Sequence, residues 1–531
     1  MKTMKEEFLH KLIDTYFRGP FSRLTLAMIV VAAVSACGGG SSGGSGGNGN
    51  NTIDGDDHSA EDENGDSGDD DDDGDGDGDG DGTSSAGMLF QSPAPGGTGN
   101  ELWISDGTAE GTRVLKDINH AGGDSEPGPF TAVGDTIFFA ATTDADGREL
   151  WKTDGTEAGT VLVKDIYPGP DGSSPRNLTA LGGELYFTAD DGSTGRELWR
   201  SDGTAAGTVQ VRDIHPGSEG SNPAQLIVFD GAIYFAAYDG TVNEFSQPLE
   251  ALWKTDGTEL GTQKLKNLKL SSLLAERVLV IFKDALYFTA REGFSNTEIW
   301  KTDGSVEGTV QVTKIVDDSE GGSNPRKLTV FNNELYFQAK RRETGAELWK
   351  TDGTEDGTIV VTNINPCDRC SEGSSSDSLP SDLTPLDGSL YFTATNPELG
   401  RELWKTDGTV GGAQLVRDIR EGEIGAISGV IAQLTVFDGA LYFLADDGST
   451  GAELWKTDGT EVGTQLVKNV NDRTGTSGPR ELTVFNDVLY FTANNGSRRE
   501  FHKTDGTEAG TEQVTDLGFF SFFPRHTFVI P

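Results

Sequence analysis

One stretch, Glu149-Leu150-Trp151-Lys152-Thr153-Asp154-Gly155-Thr156-Glu157-Ala158-Gly159-Thr160, limits what this chain can fold into, because versions of it return from Glu101 to Thr511. Its tryptophan falls at 103, 151, 199, 253, 300, 349, 404 and 455, which accounts for every Trp in the protein. A ninth copy, from Glu500 to Thr507, places His502 at the tryptophan position. Successive tryptophans lie 47 to 55 residues apart. A unit of that size cannot bury a core alone, so the units must stack, as in a propeller or solenoid, and not fold as separate domains.

Each period reads as four short strands. In the clearest one they are 178–181, 184–189, 197–201 and 208–214, separated by Gly182-Gly183, Asp190–Gly195 and Asp202–Gly207. Asp-Gly and Gly-Gly supply the positive φ that tight turns require. The second strand, Glu184-Leu185-Tyr186-Phe187-Thr188-Ala189, does not alternate between apolar and polar, so both its faces must be covered. A blade sandwiched between two other blades meets that demand, and the expected fold is an all-β propeller of four-stranded blades. Counting second strands from Met88 to Val488 gives nine blades, with eight as the alternative. The chain starts in a second strand near Met88-Leu89-Phe90, while Phe522–Ile530 aligns with the repeat start Ser323–Phe331. The last segment is therefore expected to supply the missing strand of the first blade, closing the ring and removing two exposed edges.

Before the ring, Lys2, Lys5, Lys11, Arg18 and Arg23 precede an apolar run from Leu24 to Val34, too short for a stable membrane span. Residues 1–36 read as an export signal, and Val34-Ser35-Ala36-Cys37 resembles the lipobox of bacterial lipoproteins, in which the cysteine (here Cys37) is lipidated. In those lipoproteins a residue other than Asp after the cysteine, here Gly38, goes with outer-membrane sorting. Residues 37–86 read as a tether without a core: Gly and Ser first, then sixteen acidic residues and no Lys or Arg between Asp54 and Asp81. The alternating Asp69, Asp71, Asp73, Asp75 and Asp77 offer the oxygen ligands calcium takes, but no Glu closes a twelve-residue loop, so an extended, self-repelling spacer is the first expectation. No other cofactor is implied.

Composition excludes some partners. The formal charge is −44, which repels phosphate backbones, so nucleic acid is not an expected partner. Three cysteines rule out a disulfide scaffold. Cys367-Asp368-Arg369-Cys370 sits in a Ser- and Gly-rich loop and not at a helix start that would lower a thiol pKa, so a local disulfide is expected before redox catalysis.

The repeat Glu-Leu-Trp-x-x-Asp-Gly-Thr, as at Glu149–Thr156, resembles the bacterial family named for its ELWxxDGT repeats, from Glu101 to the C terminus. The resemblance implies an exported, cell-surface, propeller-like repeat protein and brings no catalytic residues. Departures are local: Ala251 for the leading Glu, Phe501-His502 for Leu-Trp, Gly412-Ala413 for Gly-Thr, and Lys and Leu between Leu265 and Ile281 where other repeats carry a Pro-Gly loop.

In a propeller, the turns joining first to second and third to fourth strands share one face, and here they are uniform. The opposite face carries the irregular loops, and loops on a rigid scaffold are where binding residues concentrate. Its candidates are Asp190, Asp191, Asp446 and Asp447 in two similar loops, and Tyr238, Asp239 and Phe245 in a longer one. Asp154 and Asp352 read as turn formers ahead of cation ligands. Glu149, Glu197, Glu347, Glu402 and Glu453, some beside Arg148, Arg196 or Arg401, could ring the channel with charge, but pairing between blades or with turn amides is the simpler expectation. The tryptophans read as packing between sheets. The functional expectation is a lipid-anchored scaffold on the bacterial outer membrane or cell surface that binds an envelope protein or glycan. The alternative is an enzyme acting on carbohydrate or another extracellular polymer through acidic loop residues.

Overall fold

The structure, a computed structural model, describes residues 87–531 except 98, 121, 271–278, 294–295, 317–321, 367–376, 423, 428–432, 473–474 and 516–524. The export signal, Cys37, the tether with Asp69, Asp71, Asp73, Asp75 and Asp77, and the Cys367/Cys370 pair lie outside the described residues.

Nine antiparallel sheets follow one another along the chain as blades 1 to 9, so the count is nine and not eight. Blade 3 is representative, with strands Arg176–Leu181, Glu184–Asp190, Arg196–Ser201 and Val209–Arg212 in that spatial order. Its second strand is buried from Leu185 through Ala189, as its unalternating sequence requires of a strand covered on both faces. Trp199 reaches the neighbouring sheet, packing with Phe138, Leu150, Val163 and Ile166 of blade 2. Lys164 of blade 2 stands 5.7 Å over that indole and donates to Thr208 O at 2.8 Å.

The ring closes in blade 1. Arg525–Val529 pairs with Met88–Pro93, Met88 opposite Val529 and Leu89 opposite Phe528. His526 (φ 56°) occupies the same left-handed bulge position that Lys327 (φ 60°) takes in blade 6, so the last strand is an inner strand of the repeat in its bulge as well as its pairing. The seam between blades 9 and 1 also repeats a contact found elsewhere in the ring. Gly107 (φ 90°) lies so close to Tyr490 of blade 9 that a Cβ there would come within 2.0 Å of the phenol oxygen, as Gly257 of blade 4 does with Tyr186 of blade 3. Only glycine meets both the dihedral and the approach.

The Asp-Gly-Thr turn is self-contained. Asp154 Oδ1 accepts from Thr156 N (2.9 Å) and Thr156 Oγ1 (2.7 Å), and Asp352 does the same with Thr354. These hydrogen bonds hold the Asp154 carboxyl below its usual range.

Blade 5 departs from the pattern. Its inner strand is in two pieces, Lys269–Leu270 and Leu279–Phe282, both paired with the same edge of Ala285–Arg291. The break coincides with the 265–281 stretch whose sequence lacks the Pro-Gly loop.

Candidate functional site

The residues that open the third strand fasten blades to the adjoining loops: a glutamate in every blade but blade 4, preceded by an arginine in blades 2, 3, 7 and 9. Arg148 donates backward to Glu126 O (2.8 Å) and Gly128 O (2.7 Å), in the loop entering its own blade. Glu149 reaches forward: it accepts from Ser173 Oγ (2.5 Å), Ser173 N (2.7 Å) and Tyr167 N (3.1 Å), in the loop leading to blade 3. The forward half recurs as Glu101 with Ser125, Glu197 with Ser221, Glu298 with Ser323, Glu347 with Ser378 and Glu453 with Ser477. In blade 7, Glu402 takes the amide of Ala426 at 2.6 Å instead. These carboxyls are buried. Burial pushes them above the usual carboxylate range, and Glu347 and Glu402 reach about 7. The recurring acids are thus loop fasteners and not a ring of charge around the channel.

Blade 4 has neither half of the clamp. Glu250-Ala251 stands where blades 2, 3, 7 and 9 carry Arg-Glu and blades 1, 5, 6 and 8 carry the glutamate after another residue, and the loop that follows carries the short strand Lys269–Leu270 where the other blades have their fastened loop. Losing the glutamate while keeping a buried serine and amides would leave donors unsatisfied, so the two parts are absent together.

At this interruption a cleft of about 860 Å³ opens on the irregular-loop face. Its lining comes from three places: His215, Glu219 and Asn222 in the loop entering blade 4; Tyr238 to Pro248 in the hairpin of that blade; and Lys269 and Arg291 from blade 5. The hairpin is long because Ala232–Val242 runs past the sheet and folds back at Asn243, whose Oδ1 accepts from Phe245 N and Gln247 N, both at 2.9 Å. Its shaft rests on the His215 ring at Gly240 (φ 81°), where a Cβ would sit 2.9 Å from the imidazole. Tyr238 OH donates to Glu250 Oε2 at 3.4 Å, and burial raises both groups, against the field of Lys269 and Arg291 at Glu250.

The structure separates the residues singled out from the sequence. Tyr238 lines the cleft; Asp239 sits beside it, its carboxylate held by Lys264 at 2.7 Å; Phe245 is at the hairpin tip, 63 % exposed. The other four aspartates fold their own loops. Asp191 Oδ1 accepts from Ser193 N, Thr194 N and Thr194 Oγ1; although burial opposes it, these bonds lower its pKa. Asp447 repeats the arrangement, Asp190 accepts from Gly192 N, and Asp446 accepts from Gly448 N and pairs with Arg420 at 2.8 Å. Sequence reasoning missed His215, Asn222, Glu250, Lys269 and Arg291. The available signal was Ala251 in place of the recurring glutamate, beside the Lys- and Leu-rich stretch.

Among the described residues, no three His, Cys, Asp or Glu side chains gather as a metal would require. No family model and no curated protein matches the chain. Solved structures similar to it include a puromycin hydrolase (15 % identity, TM-score 0.35), over 69 % of this chain and 58 % of that one. A prolyl endopeptidase is similar at 11 % identity and TM-score 0.38, over 70 % of this chain and 55 % of that one. The β-propeller domain of the Trilobed protease from Pyrococcus furiosus matches at 12 % and TM-score 0.32, over 64 % of this chain and 95 % of that domain. The chain thus spans less than two thirds of the whole hydrolases, and at these scores their activities remain statements about those proteins.

Proposed function

We propose that this chain is an exported scaffold, held at the bacterial outer membrane or cell surface through Cys37 and its acidic tether, that binds a ligand in the cleft between blades 4 and 5. The apolar run ending at Cys37 and the 37–86 composition support the anchoring. The observation that carries the binding reading is singularity. Eight blades keep the buried glutamate, blade 4 alone replaces it with Ala251, and there the ring offers a cavity of ligand size walled by polar groups from three segments. A repeated residue is accounted for by the blade it builds; one that breaks the repeat is available for something else.

The test is a screen of envelope glycans and proteins against the full chain, repeated after exchanging residues 238–249 for the short loop 190–195. Loss of binding supports the cleft, and unchanged binding moves the site elsewhere. Cys37→Ala protein that stays membrane-associated refutes the lipid anchor.

A second reading, an enzyme cleaving an extracellular polymer, is favoured by Glu250: a carboxyl raised by burial and hydrogen-bonded by Tyr238 beside a cleft is placed as a general acid would be. Release of new chain ends from such a polymer, abolished by Glu250→Gln, would establish it; intact polymer would dismiss it.

A further inference from the structure

Two cations in the cleft stand directly opposite one another. Lys269 and Arg291 are register partners across the two strands of blade 5. Like charges directly opposite one another across a sheet repel and destabilise the pair. Among the described residues neither side chain makes an ion pair: Glu292 pairs with Lys266 and Asp239 with Lys264, while the partly buried Glu250 feels the field of both cations without pairing with either. In a chain with 86 acidic and 42 basic residues, two adjacent cations at the wall of a cavity, outside any ion pair and near the partly buried Glu250, are out of character.

Resting on the cleft as the binding site, we propose that its ligand is a carboxylate-bearing saccharide. Lys269 and Arg291 take the sugar carboxylate, Arg291 with the planar fork that matches it. Asn222, whose Nδ2 is held by Glu219 O and Gly220 O, and Gln247 line the cleft with amide groups suited to hydroxyls, and the rings of Tyr238 and of His215, which Gly240 packs against, line it beside them. The charges facing the carboxylate are Lys269 and Arg291 from blade 5, Glu219 on the loop entering blade 4, and Glu250 behind Tyr238. The distant acidic surface is screened beyond about 8 Å at physiological ionic strength, so the adjacent cations dominate once the ligand has entered. A peptide is the poorer fit. It would be anchored by an apolar side chain in a desolvated pocket, whereas Val242 and Pro248, on the hairpin, are both exposed.

The experiment is calorimetric titration of the full chain with tetragalacturonate, with its methyl ester and with tetraglutamate. Expected are saturable binding of the galacturonate, at least tenfold weaker binding of the ester, no comparable binding of the peptide, and a further loss on raising salt. Lys269→Gln and Arg291→Gln should each weaken binding at least tenfold while leaving the melting temperature unchanged or higher, since each relieves the repulsion. A purely structural pair would lower it. Equal binding of the ester, equal binding of the peptide, or unaltered affinity in the Lys269→Gln/Arg291→Gln double variant would overturn the proposal. If galacturonate fails while the 238–249 exchange still abolishes binding in the envelope screen, the chemistry is wrong and the site stands; if the exchange changes nothing, the site itself falls.

Discussion

Replacing Glu347 with Gln tests whether the buried fasteners are held as acids. The carboxyl is buried and accepts from Ser378 Oγ (2.6 Å), Ser378 N (3.3 Å) and Ile364 N (3.2 Å). Burial raises it from an ordinary 4.5 to about 7. The sign follows from proton binding: between those values the folded state holds a proton that the unfolded state has released, so this group's contribution is complete below pH 4.5 and is lost as pH rises through 7. At ~1.4 kcal/mol per pH unit the swing is about 3 kcal/mol. Glutamine has no such swing, but it turns its amide NH2, itself a donor, toward one of the three donors, a pH-independent cost of about 1–3 kcal/mol. Urea unfolding of both proteins from pH 4.5 to 8 should therefore show a difference that shifts by about 3 kcal/mol in favour of the variant as pH rises. Taking the difference removes the other titrating groups. Curves that stay parallel would mean that Glu347 is ionised in the folded ring, its three donors outweighing burial.

His502, buried at the tryptophan position and stacked on Phe491 at 5.5 Å, has its pKa lowered to about 4 by burial, so its contribution is present above pH 6.5 and lost as pH falls toward 4; His502→Phe should flatten that limb by about 3 kcal/mol in the same urea series. Gly107→Ala should destabilise by about 1–3 kcal/mol more than Gly182→Ala, whose φ is also positive but whose Cβ would meet nothing within 4 Å, and equal melting shifts would dismiss the Tyr490 contact as the ring's seam. Ala251→Glu places a carboxyl in a fully buried site that lacks the serine latch, and should cost several kcal/mol at pH 8 and less at pH 5, as read by thermal unfolding at both values.

Blade number and ring closure were legible because they are encoded locally. The Asp-Gly-Thr turn hydrogen-bonds to itself, the second strand advertises two covered faces, and the C-terminal segment copies the start of a repeat down to the residue, His526, that takes the left-handed bulge. The same reasoning singled out the irregular-loop face and, through the long hairpin at Tyr238, one wall of the cleft. It could not separate that hairpin from the Asp190 and Asp446 loops, which look equally acidic in sequence but spend their carboxylates on their own backbone amides.

What the sequence by itself determined, then, is the repeated unit, its count and how the two ends meet, since each depends on turn chemistry and strand pattern within about fifty residues, the scale of a propeller blade. The tertiary structure alone decided what the repeated glutamates do and where the cleft lies. Glu149 meets Ser173, and Lys269 meets Arg291, only after strands of one blade and loops bound for the next are brought together. His215 and Tyr238 line one cavity with Arg291 because of how three consecutive segments stack around the ring. Such encounters depend on strand pairing and packing between segments well apart in sequence, and no single turn or hydrophobic period records them.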